Sequence, residues 1–418
     1  MINKPRGTED ILPKDTPLWR KAETVFHDVC STFGYSEIRT PVFEDTSLFS
    51  RGVGDTSDVV QKEMYTFEDK GGRSITLRPE GTASLARSYI ENSLYAMPQP
   101  TKLYYLINCY RYEKPQAGRL REFHQFGIEC FGGKSTATDA EAITLALTFL
   151  NNLGIKDLKL KLNSIGCTKC KKEYNEKLLA YFTKYKETLC GTCLERLDKN
   201  PMRIIDCKSP VCQEIAKDAP HMADNLCEEC STEFEKLKAY LSGANIAFEV
   251  DKTIVRGLDY YTRTVFEITS DALGAQSTVC GGGRYNGLVE ELGGKPTEGI
   301  GFAIGVERLL MIMKSQGLDL NIKTENPPEI FIVSLDEKSD MLVQNLVHDL
   351  RQSGIHAERD LCDRSVKAQM KFANKLGAKF SMVIGDDEIT SNIGKLKNMD
   401  SGDTIETALT CADIMKNL

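Results

Sequence analysis

No apolar run in these 418 residues approaches the roughly 18 needed to span a membrane as a helix. The opening stretch brings Pro, Gly, Glu and Asp early, in place of the apolar run of a secretory signal, so a cytoplasmic location is the default expectation. Positive charge is not in excess either. Fifty-three Lys and Arg stand against 60 Asp and Glu, a net charge of −7. That balance argues against an indiscriminate nucleic-acid coat and leaves room for a local basic patch serving one RNA. The glycine-rich stretch 277–294 lacks the Gly-Lys-Ser/Thr ending of a P-loop, and it is not a dinucleotide glycine fingerprint. Histidine is scarce, with five residues, and no Ser/His/Asp triad emerges from them.

The length fits two to four domains at about 100–200 residues each. Cysteine is plentiful, with fourteen residues. Without a secretory signal these should be reduced, as thiols or metal ligands rather than disulfides. Eight lie between 167 and 230, at Cys167, Cys170, Cys190, Cys193, Cys207, Cys212, Cys227 and Cys230. Three pairs have Cys-x-x-Cys spacing, which lets two thiolates grip one tetrahedral ion. Two such pairs would make a four-cysteine zinc site. A small helical insertion with buried thiols fits the same residues.

The stretch 103–131, LYYLINCYRYEKPQAGRLREFHQFGIECF, reads as two strands joined by a basic loop. In its second half Phe123, Gln125, Gly127, Glu129 and Phe131 share one face. Gly127 would leave room between Gln125 and Glu129 for a small polar ligand. Arg111 ends the first strand and suits a phosphate, while Arg119 and Arg121 ride on the loop. A surface hairpin with solvated charges is the plainer alternative. His124 points away from Gln125 and reads as a packed core residue. Upstream, Pro79-Glu80-Gly81-Thr82 turns into a helix, where Thr82 is placed to cap or Glu80 to favour the helix dipole.

Around these, 17–34 suits an amphipathic helix ending at Gly34, with Trp19, Val25, Phe26, Val29 and Phe33 as its buried stripe. A strand over 35–45 is bent or demoted to an edge by Pro41. A loop and strand fill 51–72, a helix 136–154 and a strand 159–166. Strands return in 246–271, and Gly281, Gly282 and Gly283 permit close backbone approach. Residues 299–313 read as a buried strand, a glycine turn and a helix bearing Arg308. ENPPE at 325–329 marks a domain boundary. Beyond it the pattern is βαβαβ. Its second helix aligns Arg364, Lys367, Lys371, Lys375 and Lys379 in a basic stripe of about four turns, with Val366, Met370, Ala373 and Leu376 free to face the sheet. On an acid-rich domain such a face suits phosphate contact, although a solvated face accounts for it as well.

Four ordered stretches carry a family resemblance over nearly the whole chain. The hairpin is similar to motif 2 of the class II aminoacyl-tRNA synthetases, and GIGFAIGVERLL (299–310) to motif 3. RGLDYYTRTVFEI (256–268) and KPRGTEDILP (4–13) resemble signatures of the histidyl-tRNA synthetase family. The helix–strand–proline pattern near the start resembles motif 1, which builds a dimer interface in that family. The resemblance implies an α+β protein in three parts. An antiparallel-sheet catalytic core spans 1–166 and 243–324, a helical insertion 167–242, and an anticodon-binding α/β domain 325–418. It implies ligation of L-histidine to its tRNA through a histidyl-adenylate, with ATP and Mg²⁺, by a homodimer.

It also implies roles. Glu80, Gly81, Thr82, Gln125, Glu129, Tyr260 and Tyr261 would bind histidine, with Glu129 and Tyr261 reading the ring nitrogens. Arg111 and Arg256 would be catalytic at the α-phosphate, and Glu113, Arg119 and Arg308 would complete the ATP site. Gln116, Arg364, Lys367, Lys371 and Lys375 would touch tRNA. The family does not generally require zinc in the insertion. Two other family readings are less well matched. A regulatory subunit of ATP phosphoribosyltransferase typically lacks the C-terminal domain and erodes the RGLDYY element. A proline or threonine enzyme would not carry the 4–13 and 256–261 elements.

Overall fold

A computed structural model describes all residues except 55–56, 272–277, 321 and 323–325. The proposed boundary at 324/325 and the first residue of ENPPE lie outside the described residues. The chain divides into two compact units, Met1–Ile322 and Lys323–Leu418.

The first unit is built on an eight-stranded sheet. Its strands run, edge to edge, β1 (Ser36–Glu37), β5 (Thr101–Tyr110), β6 (Glu122–Phe131), β11 (Gly299–Gly305), β10 (Thr278–Arg284), β9 (Thr262–Ser270), β7 (Leu158–Ser164) and β8 (Glu249–Val250). The six inner strands are antiparallel, and the two short edge strands pair in parallel. A small sheet holds β2 (Phe43–Asp45), β4 (Ser74–Leu77) and β3 (Tyr65–Glu68) in that order. The expected strand over 35–45 is thus two strands in two sheets. Pro41 lies in the break and cannot donate to a ladder.

The large sheet has two different faces because alternate residues of its strands differ. Phe126, Ile128 and Cys130 of β6 pack under the helices Thr16–Thr32 and Ala137–Asn152. Phe26 stacks on Phe126 at 5.0 Å and meets Phe149 edge-on at 4.9 Å. Trp19, Val25 and Phe33 are only partly buried, and Leu18, Ala22 and Cys30 complete the stripe. Both helices end before a glycine of positive φ, Gly34 at +76° and Gly154 at +85°. The other face carries Tyr105, Ile107, Cys109 and Phe131 with Tyr260, Tyr261 and Tyr285.

Two local expectations are corrected. Thr46–Val53 is a helix, since Asp45 accepts from the Ser47 N–H at 2.8 Å and caps it, and only β3 of the 51–72 expectation remains a strand. At the helix Thr82–Glu91 the cap is Glu80, not Thr82. Its carboxylate accepts from the N–H groups of Thr82 and Ala83, each at 2.8 Å.

Between β7 and β8 the helices Thr168–Thr183, Gly191–Lys199, Pro210–Ala216 and Glu228–Gly243 carry the cysteine-rich segment, most of which packs as its own core. Among the described residues, no helix is long and apolar enough to cross a membrane.

The second unit holds a five-stranded sheet in the order β13 (Ala357–Arg359), β12 (Ile330–Ser334), β14 (Phe380–Ile384), β15 (Ile393–Asn398) and β16 (Thr404–Ala408). The first three are parallel, and β15 and β16 add an antiparallel pair beyond the βαβαβ unit. The basic helix is Val366–Lys375, shorter than expected. Arg364 precedes it, ion-paired with Asp360, and Lys379 follows it. Lys367, Lys371 and Lys375 are exposed on it. Leu376 is 36 % exposed, and Gln369 is buried in its stead, donating to the Ser334 and Arg364 carbonyls.

One ion pair locks the first unit internally. Arg284, at the end of β10, is bidentate to Asp139 of the helix Ala137–Asn152, with bonds of 2.6 and 2.8 Å, and both side chains are almost fully buried. Arg284→Met leaves a bare carboxylate in the core, and urea unfolding should show a loss of about 3–5 kcal/mol. The double variant Arg284→Met/Asp139→Leu should lose less. Equal losses would show that the pairing itself carries no weight.

Candidate active site

The site is laid on glycines. Tyr105 of β5 faces Gly127 of β6, and Glu129 faces Gly301 of β11. Arg256 lies over Gly281 of β10. A Cβ at 301 would fall 2.7 Å from the Glu129 carboxyl carbon, and one at 281 would fall 2.7 Å from the Arg256 guanidinium carbon. Glycine thus lets large polar side chains lie flat against the neighbouring strand. One expectation fails for this reason. The space above Gly127 holds the Tyr105 ring and not a ligand, and the same ring closes on Gly81, 2.6 Å from a Cβ placed there.

Beside this floor is a cavity of about 370 Å³. One part of its wall is Glu80, Thr82, Gln125, Tyr260 and Tyr261; another is Arg111, Glu113, Arg119, Arg256 and Arg308. Arg111 and Arg256, 145 positions apart in the chain numbering, border the same space. Arg111 is braced by the Pro79 carbonyl at 2.8 Å and lies over the Phe123 ring at 5.3 Å. Arg256 pairs with Glu267 and lies 5.6 Å from the Tyr261 ring centre. Arg119 pairs with Glu113 at 3.0 Å. Arg308 donates to the Gly118 carbonyl at 3.1 Å, tying its helix to the hairpin loop. Burial holds the Arg308 guanidinium below its ordinary range, and the charge of Arg119 adds to that. Such crowding of guanidiniums favours an anion.

The acid end behaves differently. Glu129 is not on the cavity wall. It lies beneath, accepting from Thr82 Oγ1 at 2.6 Å, from the Tyr285 hydroxyl, and from the Tyr105 hydroxyl at 3.5 Å. Burial pushes its carboxyl up to about 8, the Glu80 charge adds to the rise, and the hydroxyl donors offset part of it. Burial also raises Glu80 against its own helix-cap bonds. Thr82 joins the two acids, its N–H to Glu80 and its hydroxyl to Glu129. Burial disfavours the charge on both carboxyls, and an ammonium or another proton-bearing nitrogen placed against them would offset that cost.

Gln116 is exposed and outside the cavity. His124 is half-buried rather than a core residue. Its Nδ1 lies 2.8 Å from Glu307, and its ring meets Trp19 edge-on at 4.7 Å. Sequence reading missed Glu267, Glu307 and Tyr285. Glu307 adjoins Arg308 and alternation put Glu267 on a strand, but nothing local signalled Tyr285. The cysteines group otherwise than spacing alone suggests. Cys167, Cys170, Cys227 and Cys230 form one set; Cys190 and Cys193 join Cys207 and Cys212, which have no Cys-x-x-Cys spacing, in a second.

Comparison with known proteins decides the family. The model "Histidyl-tRNA synthetase" matches residues 7–309, and "Anticodon binding domain" matches 329–414. The chain belongs to the histidyl-tRNA synthetase family. It is 55 % identical to the histidine–tRNA ligase of Acetivibrio thermocellus over 98 % of both chains. With that of Clostridioides difficile it shares 53 %, again over 98 % of both. The crystal structure of apo S. aureus histidyl-tRNA synthetase superposes with a TM-score of 0.82 at 42 % identity, covering 98 % of each chain. This synthetase accordingly has the class II catalytic core with a C-terminal anticodon-binding domain.

The Glu129 environment has a pH signature. A carboxyl at about 8 in the folded enzyme and about 4.3 unfolded takes up its extra proton on folding between those values. Its contribution to stability is full below the lower value and fades as pH rises through the window. Glu129→Gln does not titrate there. The melting temperature of the ligand-free wild type, relative to Glu129→Gln, should therefore fall from pH 5.5 to pH 8.5. Parallel profiles would show that Glu129 is already ionised.

Proposed function

We propose that this synthetase, a ligase that charges tRNA with L-histidine, works in two steps, with the α-phosphate of ATP held between Arg111 and Arg256. The observation that carries the reading is the cavity with guanidiniums at one part of its wall and Glu80 and Thr82 at another, Thr82 linking Glu80 to the buried Glu129 beneath. A histidine carboxylate attacks the α-phosphorus, forming the acyl-phosphate bond as the bond to diphosphate breaks. Charge gathers on the phosphate oxygens, where preplaced cations act most strongly. Arg119 and Arg308, with Glu113, hold the rest of the nucleotide. The terminal hydroxyl of tRNA then attacks the activated carbonyl, and AMP leaves.

Glu80, Thr82 and Gln125 take the α-amino end of histidine, and Gly81 lets their turn close on Tyr105. Glu129 and Tyr261 read the imidazole nitrogens, with Tyr260 packed at 4.7 Å against Tyr261. An analogue lacking a ring nitrogen gives up a hydrogen bond to one of these buried groups, and sites built to read such a bond reject the analogue by about 10⁴–10⁵. Class II synthetases use ATP with Mg²⁺. The carboxylates of Glu267 and Glu307 line the cavity and are the hard oxygen donors that ion takes. When bound, it neutralises phosphate charge. Zinc in the cysteine-rich insertion belongs to the same reading.

Gln116 on the exposed loop, and Arg364, Lys367, Lys371 and Lys375 in the C-terminal unit, meet tRNA phosphates or bases in this scheme. The domain roles follow the expected division into catalytic core, insertion and anticodon-binding domain. A cytoplasmic homodimer completes it. Phe43 and Phe67, 56 % and 48 % exposed on the small sheet, support pairing of two copies there.

Histidine-dependent ATP–diphosphate exchange tests the reading, and exchange should occur with histidine alone. Arg256→His should lower it by about 10²–10³-fold with the fold intact; unchanged exchange removes Arg256 from the site. Replacing Lys367, Lys371 and Lys375 with Gln should weaken tRNA binding, flatten its salt dependence by about one unit of log–log slope per lysine, and spare the exchange reaction. An unaltered slope would return that helix to the role of a solvated face.

A further inference from the structure

We propose that the insertion binds two zinc ions, one in each cysteine set, and that together they hold rigid the side chains gripping the loop of Arg256 and Tyr261. The metal half stands on the cysteines alone. The clamp half rests on the roles proposed above for that loop.

In each set the four sulfurs lie within 4.8 Å of one another. A tetrahedral ion with zinc–sulfur bonds of about 2.3 Å requires sulfurs about 3.8 Å apart. The measured separations are 3.7 Å for Cys167–Cys170, 4.0 Å for Cys167–Cys227 and 3.8 Å for Cys190–Cys207. That spacing suits one ion. An iron–sulfur cluster, whose cysteines bind separate irons, would spread the sulfurs further. All fourteen cysteines are free thiols.

The local backbone supports thiolate. Cys167, Cys190 and Cys227 each stand at the N-cap of a helix, with Cys170, Cys193 and Cys230 in the first turn. Helix N-termini favour the anionic sulfur. Amides also donate to three of the eight sulfurs: Cys227 N to Cys170 at 3.1 Å, Cys190 N to Cys212 at 3.3 Å, and Ser209 N to Cys207 at 3.4 Å. Bonds of this kind orient and tune metal ligands. The insertion also needs such fastening, because its core is small and rich in cysteine itself.

Each set holds a grip on the same loop. Next to Cys170, Lys171 donates to the Tyr261 carbonyl. Between Cys193 and Cys207, Arg203 donates to the Arg256 carbonyl at 2.7 Å, and Asn200 donates to Asp259 at 3.1 Å. The loop is thus held from behind at its first residue, near its middle and at its last. Arg203 and Lys171 are positioning residues, acting through the loop.

The test uses the full-length enzyme, produced with added zinc and dialysed against a chelator. Elemental analysis should find about two zinc per chain, released when the eight thiols of the two sets are titrated with a mercurial. Cys193→Ser and Cys230→Ser should each retain one. Should either variant fail to fold, cobalt substitution of the wild type carries the test, with tetrahedral cobalt–thiolate absorption titrating to two ions. Fewer than two ions per chain, or iron with labile sulfide, overturns the proposal. For the clamp, Arg203→Met should keep both zincs and a cooperative melting transition yet lower the kcat of exchange by about 10- to 100-fold, with the KM for histidine little changed. Arg203→Lys, which keeps a donor, should recover most of that loss. Two zincs with full exchange in Arg203→Met leaves the metal sites standing and overturns the clamp.

Discussion

Glu129 sits where three distant segments meet. Thr82 opens the helix after Glu80, Tyr105 stands on the neighbouring strand, and Tyr285 follows the glycine strand β10; all three point hydroxyls at one buried carboxyl. Buried polar groups are costly unless satisfied, so these partners have to arrive together. Once they do, the helix capped by Glu80, the hairpin bearing Arg111 and the strand beneath Arg256 are fixed relative to one another. The rest of the cavity inherits its geometry from that requirement.

Glycine makes the arrangement sterically possible. Gly127, Gly281 and Gly301 each lie under a large polar side chain from another strand or loop. Through these flat contacts the sheet face becomes a floor of charged and hydroxylated groups, while the opposite face keeps its apolar residues under helices. One antiparallel sheet thus separates the chemistry from the core.

The hairpin was legible because period-two alternation survives in its residues, and the helices ending at Gly34 and Gly154 because left-handed glycines stop them. Other features were hidden for physical reasons. The helix at 46–53 rests on one capping bond from Asp45, too slight a signal among turn-forming neighbours. The basic helix looked longer than it is because Lys379 continues the charge spacing after the helical backbone has ended. In the cysteine region spacing identified the gripping pairs, but Cys207 and Cys212 joined a set only through the path of the chain.

Residue order alone determined the two-faced sheet and the family resemblance. Those follow from local periodicity, turn chemistry and composition, which act over a few residues. Tertiary structure alone decided that Tyr105 and not a ligand fills the space at Gly127, that Glu129 lies below the cavity wall, and which cysteines share a set. These depend on strand register and on loops folding back across more than a hundred residues, where desolvation and packing choose partners that no short stretch of sequence can specify.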